Sequence, residues 1–423
     1  MISRLRHIAL GAAASFSLVA CLLIWLPVAL PIERLIAVTA VEALLYLLIG
    51  FIILSDEEFD TRSVLYLAAT GLTARLALLM HEPIASGEIF RYIWDGRLLA
   101  HGLNPYLYTP SAPPDGFSIN SIPGSIPFPD SNTAYPPIAQ GFFALGWMVF
   151  GNSVFAIKSL IIIAEIASLI FIYKILRLLG RPLKYMLLYA LCPLPILFFA
   201  LEGHYEAIFF PFLLGFIYLF IKKRNAFSAA MLGLASGGNI FPMLSTPAAF
   251  ASSRRLGEGL QYVTIPIILL VLSYFPFAGA VEPRSMSVFP SPPYANALFF
   301  NIFQNFLSAN HALIFCLGCI LLATAIISLI RTEIYIKIYY IFLFYLLFSP
   351  ALLPWHAAWI AVLLPIVPRM SGIFLAALTG LSVYIFRDYL YFGEWAEDKL
   401  FVYIEYAPIL LALLIELLLR NRK

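Results

Sequence analysis

Apolar runs of about 17 to 25 residues recur along the whole chain, separated by short polar or basic stretches. Each is long enough to cross a hydrocarbon core of roughly 30 Å at about 1.5 Å per helical residue. The pattern predicts helical spans at about 8–30, 35–54, 63–80, 153–176, 185–201, 207–221, 260–280, 312–330, 338–349, 357–368, 371–391 and 400–419. It therefore predicts an all-α, polytopic helical membrane protein of about 12 full spans, forming one transmembrane domain over residues 1–423. Two runs depart from simple crossing. The run at 138–150 is too short to span and reads as an interfacial or re-entrant piece. The run at 226–250 has basic clusters on both sides, Lys222-Lys223-Arg224 and Arg254-Arg255, so it must enter and return as two half-helices. Gly237-Gly238-Asn239 is the expected break, because irregular backbone at membrane depth needs protein or a water-filled cavity around it.

Composition removes the soluble alternatives. Hydrophobic residues make up 62% and charged residues 12%, against roughly 25% charged in an ordinary soluble domain. A net charge of +3, with the basic residues in short clusters between apolar runs, excludes a nucleic-acid surface. Those clusters report topology instead. With basic residues on the cytoplasmic side, 18 of the 26 Lys and Arg fall on inner segments. Five lie in outer loops (Arg34, Arg91, Arg97, Arg284, Lys399) and three within spans (Arg75, Lys158, Arg387). Both termini are then cytoplasmic, and the outer face carries segments 81–137, 202–206, 281–311 and a short loop around Pro354. The first run follows Arg4 and Arg6 like a signal peptide, but it is too long and more spans follow it, so it reads as a retained helix. The four cysteines lie in apolar runs as small hydrophobes. Cys316-Leu-Gly-Cys319 lacks the His or second Cys pair that a metal site would need.

Chemistry concentrates in the outer segments. From Ser86, a candidate N-cap, the chain reads Ser86-Gly-Glu-Ile-Phe-Arg-Tyr-Ile-Trp-Asp-Gly-Arg97. On a helix Glu88, Arg91 and Asp95 share one face, and Ile89, Phe90, Ile93, Trp94 and Leu98 cover much of the rest. This is the pattern of an amphipathic helix in the membrane interface. By spacing alone it is a surface helix with an internal salt bridge; chemically, a carboxylate beside a guanidinium is also a base with a phosphate-handling partner. Further along come Leu103-Asn-Pro-Tyr106, Ala134-Tyr-Pro-Pro-Ile138, the hairpin tip Glu202-Gly-His-Tyr-Glu206, and Ser349-Pro350 with Pro354-Trp-His356. Each has a structural reading as well: loop-shaping prolines, a helix-end His, an interfacial Trp. Charges inside spans (Glu42, Arg75, Lys158, Glu165, Glu405, Glu416) keep a transporter or lipid-linked glycan flippase open. Glu416 can snorkel from a helix end, and Glu42 with Arg75 can form a buried pair.

Taken in order, these pieces resemble the GT-C superfamily of membrane glycosyltransferases that use polyprenyl-phosphate sugars. They are most similar to the bacterial polyprenyl-phosphomannose-dependent mannosyltransferases and the first mannosyltransferase of GPI-anchor synthesis. The resemblance covers most of residues 80–370. It rests on Glu88-Ile-Phe-Arg-Tyr with Asp95-Gly-Arg97 and Gly102-Leu-Asn-Pro-Tyr106, then Tyr135-Pro-Pro137, Gly203-His-Tyr-Glu-Ala207, and Ser349-Pro350 with Trp355-His356. It implies an inverting transfer of a sugar, mannose first, from a polyprenyl-phosphate donor to a hydroxyl of a glycan, glycolipid or protein. The reaction would occur at the outer face of a prokaryotic cytoplasmic membrane. Glu88 would be the catalytic base, and Arg91, Arg97 and His204 would hold the donor phosphate. Tyr92, Asp95, Asn104, Tyr106, Tyr135, Glu206, Asn239, Trp355 and His356 would line the substrate pocket. Two departures bear on this. Gly87-Glu88 stands where many relatives have consecutive acids, which weakens a two-carboxylate metal site: no cofactor is implied with certainty, and a divalent metal stays open but unsupported. Asn239-Ile-Phe-Pro242 replaces a Lys-Ile-Tyr-Pro, which removes a phosphate contact and leaves a non-catalytic relative as an alternative.

Overall fold

The computed structural model describes residues 2–27, 30–55, 58–280, 294–395 and 397–420. It is 74% helical, with no strand among the described residues. Seven of the described helices are long and apolar enough to cross a membrane. They are Leu5–Trp25, Pro31–Leu54, Val154–Leu178, Leu256–Phe277, Ala309–Leu329, Met370–Phe392 and Lys399–Leu419. The other expected crossings take different forms, each with a local cause. The stretch at 185–201 is a bent pair, Leu183–Ala190 and Pro195–Leu201, with 50° between them. Pro193 and Pro195 remove helix donors there, and the second half is a π-helix. The 63–80 run is the helix Thr61–Leu78. The 207–221 and 338–349 runs are the shorter helices Phe210–Ile221 and Ile334–Phe348, and the 357–368 run begins as the short helix Pro354–Ala361 and continues as turns. The 138–150 piece is the helix Pro137–Phe150. The 226–250 run breaks at 237–240 between Asn225–Ser236 and the one-turn Phe241–Ser245, which continues into Thr246–Ser252. Of the expected outer loop at 281–311, residues 281–293 lie outside the described residues; the remainder includes the helix Leu298–Gln304.

The described residues fall into two compact units. The first comprises Met1–Leu78, Leu169–Phe198 and Pro292–Lys423. Exposed Leu44, Phe51, Leu322 and Leu414 on its helices suit lipid as the solvent. Three of its charges within helices are engaged by hydrogen bonds. Glu42 accepts from the Ser17 hydroxyl at 2.8 Å and the Cys21 thiol at 3.4 Å. Arg75 donates to the carbonyls of Gly71, Tyr189 and Ala190. Glu416 does not snorkel. It accepts from the amide and hydroxyl of Ser371 at 2.9 and 2.8 Å, closing the open first turn of the helix Met370–Leu378.

The second unit comprises Leu79–Ser168 and Phe199–Ser291. Its centre is the contact between the helices Glu88–Ala100 and Pro137–Phe150. They approach so closely that a Cβ on Gly96 would stand 2.4 Å from the Phe143 carbonyl oxygen. Phe210–Ile221 is tied to Asn225–Ser236 by the Ser228 hydroxyl on the Phe216 carbonyl at 2.9 Å. The Tyr262 hydroxyl on Asn225 at 3.2 Å brings in Leu256–Tyr274.

Candidate active site

The helix Glu88–Ala100 carries most of the expected site, but it is not a surface amphipathic helix. Nine of its thirteen residues are buried, Arg91, Tyr92 and Asp95 among them. Tyr92 with Glu88, and Arg91 with Asp95, pair within the helix, which lets these polar side chains be buried in the packing. Ser86 lies one residue before the cap position, held by Gly87, and its hydroxyl accepts the Glu88 amide at 3.3 Å. The hairpin tip is likewise interior: Glu202 and His204 are each 1% exposed and Glu206 is 4% exposed. The π-helix Pro195–Leu201 delivers this tip. Gly203 then turns the chain at φ +80°, where a Cβ would stand 2.5 Å from Ile89 Cδ1. Only glycine meets both demands.

This turn brings His204 Nδ1 to 3.3 Å from Glu88 Oε2. The Tyr92 hydroxyl donates to the same oxygen at 2.8 Å, and about a third of the Glu88 side chain, 31%, stays open to solvent. Burial opposes the charge on His204. The close contact with Glu88 and the charges of Glu88, Glu206 and Glu202 outweigh it and raise its pKa. Burial pushes Glu206 up to about 7, against the opposing effect of His204, and its buried Oε2 has no hydrogen-bond partner. Burial first, and Glu88 second, keep the Tyr92 phenol well above its usual range, so it remains a donor.

A second polar chain runs beside the first. Arg91 donates through Nε to Asp95 Oδ1 at 2.8 Å and through Nη1 to the Ser131 carbonyl at 2.9 Å, while its buried Nη2 has no partner. Asp95 therefore orients Arg91, as the i, i+4 spacing implied. Gln140 Nε2 donates to Asp95 Oδ2 at 3.1 Å and to the Thr133 hydroxyl at 2.8 Å. The rings of Tyr92, Tyr135, Phe143 and Tyr205 meet at centroid distances of 4.7 to 5.6 Å. The Tyr106 hydroxyl fastens to the Tyr135 carbonyl at 2.6 Å.

The structure thus brings Glu88, Arg91, Tyr92, Asp95, Tyr106, Tyr135, His204 and Glu206 into one neighbourhood. Asn104 shapes it from outside by accepting the Tyr106 amide at 3.0 Å. Asn239 follows Gly238, whose carbonyl accepts the Tyr205 hydroxyl at 2.7 Å, and its own side chain caps the Phe241 amide at 3.2 Å. Arg97 is placed elsewhere. Nine residues along the helix from Glu88, about 13 Å at the usual rise, it donates to the Ser118 carbonyl and Ser121 hydroxyl and lies over the Phe117 ring. Trp355 and His356 belong to the first unit, their rings 5.7 Å apart. Sequence reasoning passed over Gln140 and Thr133, although Gln140 is the one amide in the apolar helix Pro137–Phe150, and a buried polar side chain there demands a partner. It also gave no role to Glu202. No group of three or more His, Cys, Asp or Glu among the described residues could hold a metal ion.

The family model for alpha-(1->6)-mannopyranosyltransferase, N-terminal domain, matches residues 6–253. No curated protein matches the chain. The matched stretch is more than half of the chain and includes Glu88, Arg91, Asp95, His204, Glu206 and Asn239, and the chain belongs to the MptA_B family of alpha-(1->6)-mannopyranosyltransferases.

Proposed function

We propose that this mannosyltransferase-family membrane enzyme moves mannose from a polyprenyl-phosphate donor to an acceptor hydroxyl, with inversion, at the outer face of its membrane. The single observation that carries the reading is Glu88 on His204 at 3.3 Å, with the unpartnered Nη2 of buried Arg91 on the same helix. A carboxylate that is partly open and a cationic pair beside it are the two functions a single displacement needs. The acceptor oxygen forms its bond to the anomeric carbon as its proton passes to the Glu88 carboxylate. The bond from that carbon to the phosphate oxygen breaks, and the negative charge leaves with the lipid phosphate. Arg91, and His204 in its protonated form, stabilise that growing charge in a site where donors are already oriented. Tyr92 holds the Glu88 carboxylate in place. The aromatic cluster and Glu206 supply apolar faces and a polar edge of the kind a sugar ring uses. The donor enters from lipid, so no nucleotide site is required.

The intramembrane charges do not favour a transporter. Lys158, the most suggestive of them, donates to the His81 and Leu201 carbonyls within its own unit, which is a structural use. The test is Glu88→Gln in proteoliposomes supplied with polyprenyl-phosphomannose and an acceptor glycan. Loss of the base is expected to lower turnover by about 10²- to 10⁴-fold; near-native turnover would remove Glu88 from the mechanism.

A further inference from the structure

Glu202 plays no part in the transfer as proposed, yet it accepts three hydrogen bonds from residues more than a hundred positions away. It is 1% exposed, and three successive backbone amides converge on its carboxylate. Ile84 donates to Oε1 at 2.9 Å; Ala85 and Ser86 donate to Oε2 at 2.9 and 2.8 Å. These amides belong to the segment that leads into Glu88, and the Ser86 hydroxyl in turn receives the Glu88 amide. Lys158 grips the same two segments from the other charge: its ammonium donates to the carbonyl of His81, three residues before Ile84, and to that of Leu201, beside Glu202. Opposite charges thus bind the segment 81–86 to the stretch 201–202. His204 follows two residues later, across a glycine whose turn is fixed by its conformation and by Ile89.

We infer that Glu202, with Lys158, is a positioning residue that sets the distance between Glu88 and His204. The two reacting partners are 116 residues apart in sequence, so nothing local holds them together. A buried carboxylate that loses its donors is costly, and three amides that lose their acceptor are costly too. The segment before Glu88 and the tip bearing His204 therefore move as one body. The inference rests on the reading that Glu88 and His204 act together in transfer.

The test uses Glu202→Gln and Glu202→Asp in the full-length enzyme in proteoliposomes. The Gln variant keeps the shape but turns an amide group toward a backbone N–H. The Asp variant keeps the charge and withdraws it by one methylene, which separates geometry from electrostatics. A displacement of about 1 Å at a reacting pair costs about 10²-fold, so kcat is expected to fall by about 10- to 100-fold in both, with KM for the mannosyl donor within about threefold. Glu88, Glu206 and Glu202 are the charged groups that act on His204, and a loosened pair moves the alkaline limb of the kcat profile to lower pH, even with the charge kept in the Asp variant. Size-exclusion profiles identify variants that fold; if the Gln variant does not, the Asp variant decides. A folded variant with native kcat overturns the inference, and so does a reduced kcat with an unmoved limb, which is merely structural. Glu88→Gln run in parallel separates the two readings. If it retains turnover, the base assignment fails and the inference with it; if it is inactive while the Glu202 variants match the wild type, the inference alone fails.

Discussion

Glu206 should make this protein less stable as the pH rises, and Glu206→Gln should remove that dependence. The side chain is buried, with one carboxyl oxygen lacking any hydrogen-bond partner. Burial pushes its pKa from 4.5 up to about 7, opposed by His204 and reinforced by Glu88. A carboxyl whose folded-state pKa is raised holds its proton more tightly in the native state than in the unfolded one. Its cost is absent below pH 4.5, grows between 4.5 and about 7, and is complete above that. A displacement of this size corresponds to roughly 3 kcal/mol. Spread over the unfolding entropy of a chain this long, that is a shift of about 4 °C in melting temperature if the whole chain unfolds together. Gln has the shape of the protonated carboxyl and no charge to bury. At pH 5 the variant should melt within about 1 °C of the wild type, and by pH 8 it should melt about 4 °C higher. Intrinsic-fluorescence melting of the detergent-solubilised protein at pH 5, 6, 7 and 8 measures this. A difference that stays constant across that range would refute the reasoning, because Glu206 would then not be titrating at the cost that its burial implies.

Two further substitutions probe the site. Arg91→Lys keeps the positive charge but cannot reach both Asp95 and the Ser131 carbonyl while presenting a further nitrogen. Turnover should fall by about 10²- to 10³-fold, the cost of losing one oriented donor to the developing phosphate charge, with the melting temperature little changed, and native turnover would mean that charge alone suffices. Gly203→Ala places a Cβ at φ +80° and 2.5 Å from Ile89 Cδ1, and should cost about 1 to 3 kcal/mol. Adding Ile89→Val removes the Cδ1 atom and should recover the steric part but not the conformational part, so a double variant no more stable than the single one would refute the clash.

Much of the architecture was legible in the chain because it is decided locally. Apolar run length and the near absence of charge determine membrane helices, since lipid cannot satisfy a free backbone group. Pro193 and Pro195 determine a bend, and the interruption at Gly237-Gly238-Asn239 falls where the sequence places it. The Arg91–Asp95 pair follows from helical spacing. The family was readable too, in the order of short motifs along the chain.

What only the tertiary structure decided is where those local pieces meet. The helix Glu88–Ala100 has the pattern of a surface element, and its burial depends on the Pro137–Phe150 helix and the 202–206 tip folding over it. Arg97 shares that helix with Glu88, yet helical rise carries it to the far end and to Ser118 and Ser121. Glu202 is one carboxylate among many in the sequence; its role exists because three amides more than a hundred residues earlier converge on it. Spacing rules reach one turn of helix. The Glu88–His204 pair spans 116 residues, and a contact of that range is determined by packing, which no single segment encodes.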